Sequence, residues 1–431
     1  MPPGTRWWLP APTSPDGATH VSAEPGPDPL ERPTLLVTLT GVDRPGVVMR
    51  VFEAASRSGV DVLDIEQVVL RGTLVLGVLL TSPRDEKGLV TALEHVADEL
   101  GMAVDVVRGT GDNADRTSGR FHVTVIGAPL RPTAMAAVAG RIADTGANID
   151  RIVRMARYPV TAIDLDVSGA PGQMLRSALA AEAVARQIDI AVQPAGILRH
   201  AQRLIVMDVD STLVQGEVIE MLASHAGYLD QVREVTERAM AGELDFEESL
   251  RARVSLLRGV PASALDDVHA SLVYTPGART MIRTLLRLGY RFALVSGGFT
   301  HVIERIAADL GVHYYAANEL EVIDGRLTGQ VVGDVLDRAG KATALRRFAQ
   351  QAGIGLPSTI AIGDGANDLD MLAAAGLGVA FNAQPVVRAA ADTSVTVPYL
   401  DTIIYLLGIT REEVEAADAD AGVATPAPPV T

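Results

Sequence analysis

No cysteine occurs in the 431 residues of this chain. That excludes disulfides, thiolate metal sites and cysteine nucleophiles, and it fits a reducing compartment. No apolar stretch reaches the roughly 18–20 residues that a membrane helix needs, so no membrane partner is expected. Basic charge is scarce: 37 Lys and Arg against 53 Asp and Glu leave a formal net charge of −16. A general nucleic-acid binder carries a basic footprint, and that class is excluded. The amino-terminal stretch, with Trp7, Trp8 and many prolines, lacks the charged start and apolar segment of a secretory signal. A cytoplasmic enzyme is the expectation. Hydrophobic content of 48% and charge of 21% are ordinary for a globular protein, and the length allows roughly two to four domains.

Composition divides the chain. Residues 1–33, rich in Pro, Gly, Ser and Asp, read as a disordered leader. At the other end, 411–431 pass from an acidic helix-like stretch into Ala-Thr-Pro-Ala-Pro-Pro and read as a flexible tail. Between them lie a repeat and a larger domain. The first copy, 34–110, places a strand at Thr34–Thr40 and a turn, Gly41-Val-Asp43-Arg-Pro45-Gly46, that opens a helix at Val47–Ser58. Strands near Val62–Leu70 and Leu74–Leu80, a helix at Glu86–Leu100 and a strand at Ala103–Arg108 complete it. The second copy, 118–196, repeats the order from Arg120–Gly127 to Asp189–Pro194. Gly41 and Gly127 lie 86 residues apart, Gly59 and Gly146 87. Two β-α-β-β-α-β units in tandem form the ferredoxin-like motif.

From 200 to 410, strand-then-helix units alternate, the signature of a doubly wound parallel sheet. Ligands of such sheets bind beyond the carboxyl ends of the strands, and four strand ends carry chemistry. The apolar run Leu204–Met207 ends at Asp208-Val-Asp210-Ser-Thr212. Alternation puts both carboxylates on one side of an extended chain, where one can attack phosphorus while its neighbour handles protons. Two such close anions call for a divalent cation. Ser296-Gly297-Gly298 ends a second strand and can bring N–H groups to an anion. Lys341, in the first turn of a helix, opposes the helix dipole. Gly363-Asp364-Gly-Ala-Asn367-Asp368 ends the last of these, giving a third acid for an oxygen-rich site; Asp368 suits a supporting role or a helix cap. Taken singly, each has a plain alternative: an acidic loop, a turn, a solvated Lys.

The two repeats resemble ACT domains, modules that commonly bind amino acids. The resemblance implies that Asp43 takes an amino group, that Gly46 frees N–H groups for a carboxylate, and that Asn148 makes the other ligand contact. The second loop, Gly127-Ala-Pro-Leu-Arg131-Pro, lacks that acid and glycine, and a pure dimerisation scaffold stays open. The catalytic half resembles the haloacid dehalogenase-type phosphatases, and within them the phosphoserine phosphatases. Glu217, nine residues after Asp208, and Phe246 and Arg253 on a helical insert of about 217–280 carry that closer match. So does Leu320-Glu-Val-Ile-Asp324-Gly325, a flap with a hairpin turn.

The fold class expected is therefore a doubly wound α/β sheet with a helical cap, preceded by two α+β ACT domains. The resemblance implies hydrolysis of O-phospho-L-serine, the last step of serine biosynthesis, through an aspartyl-phosphate. Asp208 would be the nucleophile, Asp210 the acid and base, and Lys341 the charge stabiliser. Mg2+ would be held by Asp208, Asp364 and the Asp210 carbonyl, and Ser296, Gly297 and Asn367 would hold phosphate oxygens. Glu217 would bind the substrate ammonium and Arg253 its carboxylate, with Phe246 closing the site. Serine as effector and a homodimer through the ACT sheets are expected from the same resemblance. Another phosphomonoester as substrate, or an amino-acid sensor with a vestigial phosphatase half, remain as alternatives.

Overall fold

A computed structural model of the chain describes residues 32–111, 119–196, 199, 203–240 and 243–426. Apart from Arg32 and Pro33, the expected leader lies outside the described residues. The chain divides into two compact units, 1–116 and 117–431.

The first unit contains β1 (Pro33–Val42), α1 (Val47–Ser56), β2 (Val62–Leu70), β3 (Thr73–Thr81), α2 (Glu86–Leu100) and β4 (Ala103–Thr110). Its antiparallel sheet has the order β2-β3-β1-β4. Strand alternation sends Leu35, Val37 and Leu39 inward, where they pack with Val47, Val51, Leu89 and Leu93 of the helices. The opposite face keeps Leu36, Val68, Leu70, Val75 and Val107 exposed. The Asp85 side chain accepts the Gly88 N–H and starts α2.

The second unit opens with β5 (Phe121–Gly127), α3 (Pro132–Asp144), β6 (Asn148–Ala156), β7 (Thr161–Ser168), α4 (Gly172–Arg186) and β8 (Asp189–Pro194), in sheet order β6-β7-β5-β8. This module is fused to the larger domain of its unit. Ile126, Met155, Ala156, Val160, Ala162 and Ala191 share one hydrophobic core with that domain. Gln193 Nε2 donates to the Leu406 carbonyl at 2.7 Å, and Thr396 N donates to Asp189 at 2.8 Å.

The larger domain is a seven-stranded sheet built from β9 (Leu204–Met207), β10 (Arg291–Phe299), β11 (Tyr314–Ile323), β12 (Arg326–Val332), β13 (Thr359–Gly363), β14 (Leu377–Phe381) and β15 (Thr393–Val395). The order is β12-β11-β10-β9-β13-β14-β15. Every pairing is parallel except β11–β12, the hairpin closed at Asp324-Gly325. Between β9 and β10 lie α5 (Val218–Ala226), α6 (Leu229–Met240), α7 (Phe246–Ser255), α8 (Ala264–Ser271) and α9 (Ala278–Arg287). The remaining helices are α10 (Thr300–Leu310), α11 (Arg338–Ala352), α12 (Leu369–Ala374), α13 (Pro385–Ala390), α14 (Ile403–Leu406) and α15 (Arg411–Asp420). No helix among the described residues is long and apolar enough to cross a membrane.

Two expectations need correction. The sequence pattern reads Gly378–Phe381 as the final strand of the sheet, but β15 pairs beyond it; three residues are too few to announce themselves by pattern. The region from 411 is not a flexible tail in its described part. Helix α15 starts with a Thr410–Glu413 capping box and buries Asp418 against Arg283 (2.5 and 3.0 Å) and Arg287 (2.6 Å). Residues 427–431 lie outside the described residues. Burial raises the Asp418 pKa, but hydrogen bonds from Arg283, Thr425 and Arg287 outweigh it and bring the carboxyl to about 2. A depressed acid stabilises the fold above its unfolded pKa and ceases to as pH falls through the folded one. Asp418→Asn is therefore expected to cost on the order of 2 kcal/mol at pH 7, a deficit that shrinks between about pH 4 and pH 2. Urea midpoints across that range check it.

Candidate active site

Leu204–Met207 is buried at all four positions, as a central parallel strand covered on both faces requires. Asp208 N donates to the Ile362 carbonyl at 2.9 Å, so pairing with β13 carries on to the first acid. Asp208, Asp210, Glu217, Phe246, Arg253, Gly297, Asp364 and Asn367 all line one cavity of about 530 Å3. Ser296 and Lys341, both fully buried, stand behind its wall. The catalytic and substrate residues expected from sequence thus converge on one place.

Lys341 Nζ lies 2.7 Å from Asp208 Oδ1 and 2.7 Å from Asp368 Oδ1. That explains a cation in the first turn of α11, where the dipole alone disfavours it. Burial disfavours the ammonium, yet the two carboxylates hold its pKa above the usual lysine range. Asp208 is raised well above the carboxylate range by burial and then by Asp368, with Lys341 opposing. Asp364 is pushed up to about 6, chiefly by burial, against a 2.7 Å hydrogen bond from Thr212. Gly363 makes room for this packing, since a Cβ there would collide with the Asp368 carboxyl group.

Four carboxylates against one ammonium leave a net negative pocket that fits a divalent cation. Oxygens of Asp208, Asp364 and Asp368 come within 4.8 Å of one another. Hydrogen bonding separates these acids. Asp368 spends one oxygen on Lys341 and the other on Gly365 N (3.0 Å). Asp210 spends Oδ1 on Val218 N (2.7 Å) and Oδ2 on Ser296 Oγ (2.8 Å). Among the described residues, Asp208 and Asp364 each have only Oδ1 engaged. Their second oxygens suit a hard cation, and Asp210, with both carboxylate oxygens bonded, offers its backbone carbonyl beside them. The spacing of the motif does not reveal that Asp368 belongs to the cluster as Lys341's second anchor.

At the end of β10 the pairing register shifts between Val295 and Phe299. Within that irregularity Ser296 Oγ donates to Asp210 and accepts Gly298 N–H at 2.8 Å. A Cβ at Gly298 would sit 2.9 Å from Ser296 Oγ and 3.2 Å from Asp210, so the second glycine is sterically required. Ser296 therefore faces Asp210, and the backbone at Gly297 and Gly298 lines the cavity.

The helical insert closes the other side. A reciprocal capping box, Asp245 with Glu248, starts α7. Phe246, Ser249, Leu250 and Arg253, at helical spacing, share the face that lines the cavity. The Phe246 ring packs over Gly297. Arg253 Nη1 lies 3.5 Å from Glu217 Oε2, and Glu217 stands just before α5. Burial raises the Glu217 pKa, opposed by Arg253, with Asp210 and Glu220 adding to the rise.

The expected regulatory residues lie on the two repeats. Gly46 takes φ 91°, a left-handed conformation that favours glycine, and Asp43 is exposed. Asn148 belongs to the second unit, where its amide is engaged by Ile149 O (3.1 Å) and Asp150 (2.8 Å). The first module also has a cavity of about 610 Å3 at the other end of β1, lined by Arg32, Arg57, Asp61 and Arg84. Sequence reasoning missed it because those residues lie on separate turns.

Three family models match the chain: haloacid dehalogenase-like hydrolase over residues 205–373, and two ACT domain models, one over 33–107 and one over 120–193. A phosphoserine phosphatase of Streptomyces coelicolor is 59% identical, with 90% of this chain and 95% of that protein covered. One from Mycobacterium tuberculosis is 50% identical, with coverage of 90% and 97%. Among solved structures, a probable phosphoserine phosphatase from Vibrio cholerae, unliganded, has a TM-score of 0.54 at 35% identity, covering 69% of this chain and 88% of that one.

Proposed function

The chain belongs to the phosphoserine phosphatases, haloacid dehalogenase-like hydrolases with ACT domains, and we propose that it hydrolyses O-phospho-L-serine to L-serine and phosphate as the last step of serine biosynthesis. The observation that carries this reading is the Glu217–Arg253 pair above a floor of Asp208. The two side chains carry opposite charges 3.5 Å apart. A zwitterion can insert its ammonium at Glu217 and its carboxylate at Arg253, in parallel hydrogen bonds. Its phosphate then reaches Asp208.

A carboxylate oxygen of Asp208 attacks phosphorus, the ester P–O bond breaks, and an aspartyl-phosphate forms. The serine oxygen leaves with a proton from Asp210. Asp210 then takes a proton from water as that water attacks the phosphoryl group, returning Asp208 and releasing phosphate. Lys341 spreads charge from Asp208, and Gly297 and Asn367 direct polar groups at phosphate oxygens, while Ser296, expected on the phosphate as well, has its hydroxyl on Asp210 and the Gly298 N–H. Mg2+, held by Asp208, Asp364 and the Asp210 carbonyl, would neutralise phosphoryl charge. Phe246 and the α7 face exclude water from the closed site.

Arg253→Ala should raise KM for phosphoserine about 100-fold, as loss of a buried charged pair implies. Phosphoethanolamine, which lacks the carboxylate, should change less than about threefold. Phosphate release with added Mg2+ measures both. Equal loss on both substrates would remove Arg253 from carboxylate recognition. Equal kcat/KM of the wild type on both would favour a broader phosphomonoesterase.

We further propose that serine binds near Asp43 and Gly46 and lowers activity, and that a second copy covers the exposed face at Leu36, Val68, Leu70, Val75 and Val107. The support is the left-handed Gly46 before α1 and the apolar sheet face. Asp43→Ala should abolish serine inhibition that is non-competitive with phosphoserine, leaving kcat within about twofold. Unchanged inhibition over a full titration would place the effector elsewhere.

A further inference from the structure

Asn318 is only 1% exposed and stands on β11, beside the end of β10. Its Nδ2 donates to the Gly297 carbonyl at 2.8 Å, and its Oδ1 accepts Leu336 N–H at 2.7 Å. Both partners are backbone groups of fixed polarity, so the orientation of the amide is unambiguous. Thr300 Oγ1 holds the Asn318 carbonyl from behind at 3.2 Å.

The Gly297 carbonyl and the Gly298 N–H belong to one planar peptide. Asn318 grips its oxygen, while its N–H points at Ser296 Oγ, which in turn donates to Asp210 Oδ2. A flip of that peptide would break the bonds at both ends together. Leu336, on the other arm of Asn318, directly precedes Asp337, the cap residue of α11, which carries Lys341. One buried amide therefore ties the phosphate-facing loop to the approach to the lysine helix.

We propose that Asn318 is a positioning residue that sets the Gly297–Gly298 peptide and, through Ser296, the orientation of the Asp210 carboxylate, a role that rests on the phosphatase reading. Asn318 touches no substrate atom. It acts on the step in which Asp210 moves its proton, so its loss falls on kcat more than on KM.

Asn318→Asp keeps the size and the acceptor for Leu336 N–H but sets a carboxylate oxygen against the Gly297 carbonyl. Its kcat on phosphoserine should fall roughly 10- to 100-fold with KM within about threefold, the scale of a small misplacement of a reacting group. In a Ser296→Ala background the same change should cost less than about threefold, because the relay is already cut. Asn318→Ala, which removes the amide without adding charge, should behave alike if the aspartate variant fails to fold. The wild-type enzyme supplies a readout free of variants: hydrogen exchange at Gly298 should be slow, as for a buried bonded amide. Wild-type kcat in either folded variant, an equal penalty with and without Ser296, or exchange at Gly298 as fast as in an open loop would each overturn the proposal. A wild-type enzyme without phosphoserine turnover would defeat the proposed function instead, and leave the exchange measurement to decide the relay.

Discussion

Asp208→Asn is expected to lower phosphoserine turnover by at least about 10,000-fold while the enzyme stays folded. The carboxylate is 3% exposed at the end of the central strand, with Oδ1 on Lys341 and an oxygen within 4.8 Å of those of Asp364 and Asp368. An amide of the same shape still accepts from Lys341 but cannot form the acyl-phosphate. Stability should be unchanged or improved. Burial, Asp368 and Asp210 all disfavour the Asp208 charge, so a neutral replacement relieves repulsion that the functional site tolerates. Lys341 keeps Asp368 as a partner at 2.7 Å. Thermal melting and phosphate release on the same preparation check both halves. A folded Asp208→Asn enzyme with near wild-type turnover would end the nucleophile assignment.

That prediction was within reach of the sequence, and the reason is local. Strand runs, glycine turns and helix periods are short-range signals, so both β-α-β-β-α-β units and the order of acids at strand ends could be read directly. Tertiary partners could not. Nothing near Asp368 in sequence announces Lys341, which lies 27 residues earlier. Asn318 reads as one polar residue in an extended stretch until the fold brings Gly297 and Leu336 to it. The burial of Asp418 depends on arginines 131 and 135 residues earlier, which is why the carboxyl-terminal helix looked like a loose end. The second ACT module merges with the catalytic core through Ile126, Met155 and Ala191, residues that any isolated sheet could equally have used inside itself.

This distinction also separates what the two modules can do. The second places its buried Asp189 on Thr396 N and its Gln193 on the Leu406 carbonyl, so it serves as part of the catalytic body. The first has its own closed core and an apolar face left open. A regulatory ligand acts only through a difference in affinity between two states. The first module, compact by itself, is the better candidate for moving between states, and for that reason the serine site is proposed at Asp43 and Gly46 and not at Asn148.

Lys341→Met should be the most damaging single change to the enzyme, because activity and stability fall together. The ammonium is completely buried between Asp208 and Asp368. Removing one member of a buried ion cluster leaves its partners uncompensated, at a cost of about 3–5 kcal/mol. Turnover should fall by about 1,000-fold, since the positive charge beside the developing phosphoryl charge is lost. The pH dependence has a definite sign. Asp208 is already raised above its ordinary value, and loss of the lysine raises it further. A carboxyl with a raised folded pKa destabilises the fold where it must be charged, above that pKa, and the penalty fades as pH falls toward the unfolded value near about 4. The melting-temperature gap between variant and wild type should therefore be wide at pH 8 and narrow at pH 5. Lys341→Arg should not close it, because a guanidinium is larger and forked where the cavity admits a compact ammonium. A gap independent of pH would mean that the variant suffers from lost packing alone, and the electrostatic account of the site would have to be abandoned.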